Sequence, residues 1–119
     1  MKRTLFLSIL IVFFTTSLVG CNNKKDDYEL QDKCKKSSEE LFNREWKNIE
    51  HSSYQNHYNK KLNKCFISYR NLSSGFGLID IQEHKPIGGC LTNGSCYMLG
   101  KGDIKIDEWY KLVKPYMEE

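Results

Sequence analysis

The chain has 119 residues, with 18 lysines and arginines against 15 aspartates and glutamates. That length provides for one small domain. The two signs are interspersed, with no concentrated basic face for nucleic acid, so none is expected among its partners. Without Lys2 and Arg3 the balance is 16 against 15, a net charge of +1.

The first twenty residues do not read as part of a fold. Lys2 and Arg3 precede an uncharged run from Thr4 to Gly20, rich in Leu, Ile, Phe and Val. A basic start, an apolar middle and small residues before a cut are the layout of a secretory signal. A membrane-crossing helix needs about 20 apolar residues. This run is shorter and carries Thr15, Thr16 and Ser17 near its end.

Leu18-Val19-Gly20-Cys21 resembles the lipobox of bacterial lipoproteins. The resemblance covers residues 1–21 and implies cleavage before Cys21, a diacylglyceryl thioether on its sulfur, and often an acyl group on the new N-terminus. One acyl chain holds a protein to a bilayer marginally, whereas two or more hold it firmly. In lipoproteins of two-membrane bacteria, Asp after the cysteine signals retention at the inner membrane. Asn22 stands there instead, which implies the outer membrane, facing the periplasm. The expected organisation is a cleaved signal over 1–20, a lipidated cysteine and polar tether over 21–29, and one domain over 30–119.

With Cys21 lipidated, Cys34, Cys65, Cys90 and Cys96 remain, an even number in an oxidising compartment. Four cysteines allow three pairings, of which locality favours Cys34–Cys65 and Cys90–Cys96. Chain entropy assigns those loops roughly 3.5 and 2.5 kcal/mol. A domain this small buries only about 60–65% of its unfolded surface, so such staples matter. Close Cys pairs of the C-x₂-C kind are missing, which argues against a metal site and for no cofactor beyond the lipid on Cys21.

From Leu30 to Ile49, apolar residues recur near 3.6-residue spacing, predicting a helix with Cys34 on its apolar face. Residues 50–62 are polar and aromatic without periodicity and read as an ordered loop. Cys65–Arg70 alternates, with Cys65, Ile67 and Tyr69 on one face and Phe66, Ser68 and Arg70 on the other. Asn71–Gly75 is a turn cluster, and Gly77–Gln82 alternates again, with Ile79 and Ile81 inward and Asp80 and Gln82 outward. Pro86 and Gly88-Gly89 break the next stretch. Asn93-Gly94, between Cys90 and Cys96, is a strong hairpin signal. A final helix starts near Asp103 or Lys105 and ends or bends at Pro115. The order predicts an α+β fold, with N- and C-terminal helices packed on one face of a small antiparallel sheet and disulfide staples through it.

The three histidines, His51, His57 and His84, do not have the spacing of a helical zinc pair. Asp80 and Glu83 beside His84 are the most interesting group for acid–base chemistry, and would serve a small hydrolytic enzyme. No G-x-S-x-G, H-E-x-x-H or P-loop occurs. Seven tyrosines, six phenylalanines and two tryptophans suit either a core or a binding surface.

The leading expectation is therefore a non-catalytic binding module on the membrane, with an envelope protein or peptidoglycan as partner. An inhibitor or immunity-type role fits that description, and a structural envelope role is the alternative. Candidate contacts are the Asn93-Gly94 tip and the loop carrying Tyr54, His57, Tyr58 and Asn59, because loops fixed by a scaffold often carry function. The segments HYNKKLNKCF (57–66) and EWYKLVKPYMEE (108–119) also resemble those of small exported bacterial proteins of unassigned function.

Overall fold

The computed structural model describes residues 22–118. The expected signal and Cys21 lie outside the described residues. Two helices, α1 (Asn22–Glu45) and α2 (Ile106–Met117), enclose six strands. These are β1 (Ser53–Asn59), β2 (Lys64–Asn71), β3 (Gly75–Asp80), β4 (Lys85–Cys90), β5 (Cys96–Met98) and β6 (Gly102–Ile104). The strands form one antiparallel meander in chain order, and the fold is α+β.

The helices lie on opposite faces of the sheet, not on one. Cys34 and Leu41 of α1 pack with Tyr58, Cys65, Ile67 and Ile81. Trp109 and Val113 of α2 pack with Phe66, Leu78, Cys90 and Cys96. Successive strand residues point to opposite faces, so β2 contributes Cys65 and Ile67 to one core and Phe66 to the other. A sheet buried on both sides needs no outward polar row. Asp80, expected outward, lies opposite Phe66 on β2 and is 1% exposed, with Lys64 as its partner.

Several boundaries differ from expectation for related reasons. The 22–29 segment is not a free tether but the first turns of α1. Its Asp27 carboxylate meets Lys60 Nζ at 2.7 Å, and Gln31 Oε1 accepts from the Tyr58 backbone N–H at 3.3 Å. Ion pairs Glu29–Lys33 and Asp32–Lys36 line the outer surface of α1 at i, i+4 spacing. The expected loop over 50–62 contains β1. Its polar sequence, SYQNHYN, hid the strand because one face meets α1 and the other meets α2. Pro86 and the two glycines lie within β4, where a register shift at Leu78/Ile79 accommodates them. Pro115 falls in the last turn of α2, which continues to Met117.

Both disulfides pair as locality favours. Cys34–Cys65 bolts α1 to β2, and Cys90–Cys96 closes the β4–β5 hairpin. Ser38, fully buried on α1, donates its hydroxyl to the Cys34 carbonyl at 2.8 Å beside that first bridge. Among the described residues, no helix is long and apolar enough to cross a membrane.

Candidate groove between the C-terminal helix and the sheet

Helix α2 does not cover its whole face of the sheet. Its first two turns stand over the end of β2 and β3, and a cavity of about 400 Å³ remains between them. Gln55 of β1, Ser68 and Arg70 of β2, and Phe76 of β3 line it from the sheet. Cross-strand register makes this one surface, because Gln55 pairs with Ser68 and Arg70 pairs with Phe76. Trp109 and Tyr110 line it from the helix.

The aromatic wall is tightly set. The Phe76 ring meets Trp109 edge-on at 4.9 Å and stacks with Tyr110 at 5.8 Å, the planes 17° apart. Arg70 places its guanidinium carbon 5.6 Å from the Phe76 centroid, a cation–π arrangement at the groove mouth. Tyr110 is 49% exposed, so one ring of the stack faces solvent.

Gln55 and Arg70 are exposed to solvent and Ser68 is half-buried, and among the described residues their side chains make no hydrogen bond or ion pair. Trp109 is 3% exposed, and its Nε1–H is buried without a partner. A buried donor left unpaired costs about 1–3 kcal/mol, so native structures rarely keep one without a reason. No carboxylate lines the cavity. Lys114, at the far side of Trp109, is occupied by Glu118 at 3.5 Å.

Of the expected site residues, Tyr54 also lines the cavity, with its ring stacked on Phe42 at 4.6 Å on the α1 side; the others are placed elsewhere or turned to other work. Tyr58 is buried and donates its hydroxyl to Asn63 Oδ1. Asn59, 1% exposed, donates to the carbonyls of Pro115 and Tyr116 at 2.9 and 3.2 Å, and accepts from Leu62 N–H. It fastens the end of α2 to the β1–β2 turn. His57 shares the α2 face with Phe66, and its Nε2 is buried without a partner. Asn93 and Gly94 form an exposed tip in which Asn93 Oδ1 accepts from Ser95 N–H at 2.9 Å.

The acidic group is a turn support. Asp80 accepts from Lys64 Nζ at 2.6 Å and from Glu83 N–H at 3.1 Å, and Lys64 also reaches Glu83. Those two carboxylates hold the Lys64 ammonium above its usual range, chiefly by hydrogen bonding. His84 is exposed at the same turn, with φ of 49°. Among the described residues, no group of His, Cys, Asp or Glu is placed to hold a metal.

The groove residues carried one signal in the sequence. Alternation in β2 already places Ser68 and Arg70 on the face opposite Cys65. What the sequence does not show is that α2 crosses that face. Comparison with known proteins adds nothing to this picture, since no family model, curated protein or solved structure matches the chain.

Proposed function

We propose that the chain is a bacterial envelope lipoprotein, anchored through acyl chains on Cys21, whose stapled domain binds an envelope component in the groove beneath α2. It acts by binding rather than catalysis. The observation that carries this reading is the cavity beneath α2, where the exposed Gln55 and Arg70 and the half-buried Ser68, whose side chains make no hydrogen bond or ion pair among the described residues, flank the Phe76–Tyr110 stack. Pre-formed concave sites with a few fixed polar groups and aromatic walls are how proteins hold small ligands or short segments. Two disulfides keep such a surface rigid, which lowers the entropic cost of binding.

The anchor follows from the lipobox resemblance. With α1 beginning at Asn22, the lipidated cysteine would join the domain through a helix rather than a flexible linker. The groove would then stand at a fixed distance from the bilayer.

The test uses the full chain in a bacterial host supplied with an alkyne-labelled fatty acid. Wild-type protein should take up the label, and Cys21→Ser should not. The partner recovered with wild type should be lost from an Arg70→Gln, Tyr110→Ala variant that keeps wild-type stability. An unlabelled protein would remove the anchor. Equal recovery with the groove variant would remove the site.

A further inference from the structure

The groove opens where β2 ends, beside Arg70, and the opposite end of the sheet has a different character. There the β1–β2 turn, Lys60-Lys61-Leu62-Asn63, meets the first turns of α1. We propose that this end is a docking surface for anionic phospholipid headgroups, those of the bilayer that holds the Cys21 acyl chains. The inference rests on that anchor.

The start of α1 sets the distance. The helix begins at Asn22, directly after the anchoring cysteine. Asp27, whose carboxylate meets Lys60 Nζ at 2.7 Å, is five residues further on, about 7.5 Å of helix. Charges act across a Debye length of about 8 Å at physiological salt. Even with α1 upright on the bilayer, the β1–β2 turn lies within electrostatic reach of the headgroups.

The side chains at this end suit such a surface. Lys24 and Lys25 of α1 and Lys60 and Lys61 of the turn are exposed, and the acids of the same two segments are Asp26 and Asp27, so four lysines face two aspartates. Lys24, Tyr28 and Lys60 line one hollow of about 350 Å³, which joins helix and turn into a single surface. Tyr28 is 83% exposed and Leu62 is 45% exposed. Lysines beside an exposed aromatic and an exposed aliphatic side chain hold proteins at a membrane interface: the cations meet headgroups and the apolar tips enter the acyl boundary.

Leu62 is presented by a fixed backbone. Its N–H is held by Asn59 Oδ1 at 2.9 Å, and the Tyr58 hydroxyl donates to Asn63 Oδ1 beside it. Tyr58 and Asn59 are both buried. The exposed leucine at the other end, Leu72 in the β2–β3 turn, has uncharged neighbours in Asn71, Ser73 and Ser74. The eight residues of β2 separate the two turns by about 26 Å. Docked through Leu62, the domain holds its groove away from the bilayer.

The test uses the full chain purified from membranes of a bacterial host and reconstituted in phosphatidylcholine vesicles, with or without phosphatidylglycerol. A diazirine amino acid replaces Leu62 or Leu72, and lipid adducts are read by mass spectrometry. Position 62 should give adducts that phosphatidylglycerol enriches roughly tenfold, and position 72 should give none. High salt should remove the enrichment, as should Lys24→Gln, Lys25→Gln and Lys61→Gln combined. The intact mass of the same protein shows whether the acyl chains are present, so anchor and surface are read separately. An acylated chain whose adducts at position 62 ignore phosphatidylglycerol, or do not exceed those at position 72, overturns the surface and leaves the anchor. An unacylated chain that keeps the enrichment removes the anchor and leaves the surface; one that lacks it removes both.

Discussion

The indole of Trp46 stacks on the phenol of Tyr69 with centroids 4.3 Å apart and planes 13° from parallel. The stack lies on the α1 side of the sheet, just past the end of that helix. Its height is set by the strand beneath it. A methyl group at Gly77, the residue paired with Tyr69 on β3, would sit 2.8 Å from the Tyr69 Cε1 and Oη atoms.

Gly77→Ala should therefore displace Tyr69 from Trp46. Overpacking of this kind costs about 1–3 kcal/mol. Near-UV circular dichroism should lose part of its aromatic signal, and the urea midpoint should fall. An unchanged aromatic signal would show that the ring can shift at no cost.

The same phenol has a distinct alkaline behaviour. Burial holds Tyr69 above the ordinary tyrosine value of 10.0, and neighbouring Tyr97 adds to the shift. The fold thus favours the protonated phenol. Its stabilising effect is complete below the ordinary value and is lost as pH rises through the higher folded value. Spectrophotometric titration near 295 nm should contain a late component that Tyr69→Phe removes. A titration curve that keeps that component after the substitution would assign it to another tyrosine.

Asn59 makes a prediction about the anchoring of α2. Asn59→Ala leaves the Leu62 N–H without its acceptor and the Pro115 and Tyr116 carbonyls without their donor. The expected loss is about 1–3 kcal/mol, read by chemical denaturation. Amide exchange should rise first in the last turn of α2. Uniform acceleration across the sheet instead would mean that Asn59 supports the whole core.

How much of this was legible in the sequence depends on which residues carried an unambiguous pattern. Cys65–Arg70 alternates cleanly and became β2, and the apolar spacing from Leu30 to Ile49 marked α1, which ends earlier, at Glu45. Asn93-Gly94 marked its hairpin, and the cysteine spacing its pairing. The failure at Ser53–Asn59 has a physical cause. Polar residues such as Asn56 and Asn59 occupy buried or half-buried positions there because side-chain hydrogen bonds satisfy them, so hydrophobic periodicity is lost. The same masking hid the site. Gln55 and Ser68 are unremarkable until Trp109 and Tyr110 are laid across them, and only tertiary packing does that.

The two disulfides should contribute unequally. The chain-entropy model assigns roughly 3.5 kcal/mol to the loop closed by Cys34–Cys65, and about 2.5 kcal/mol to the shorter Cys90–Cys96 loop. Replacing each pair by alanine should lower the denaturation midpoint more for the first, whose bridge also joins α1 to the sheet. A larger loss from the second pair would place the main support of the fold in the β4–β5 hairpin.

The central claim is that binding occurs in the groove beneath α2. The most direct measurement is photocrosslinking of the full chain expressed in a bacterial host. A benzophenone amino acid is placed at position 110 in the groove or at position 93 on the exposed hairpin tip. A crosslinked product is expected from position 110 that disappears when Arg70→Gln is added, and none from position 93. A product from position 93 alone, indifferent to Arg70, would contradict it and return the binding surface to the hairpin.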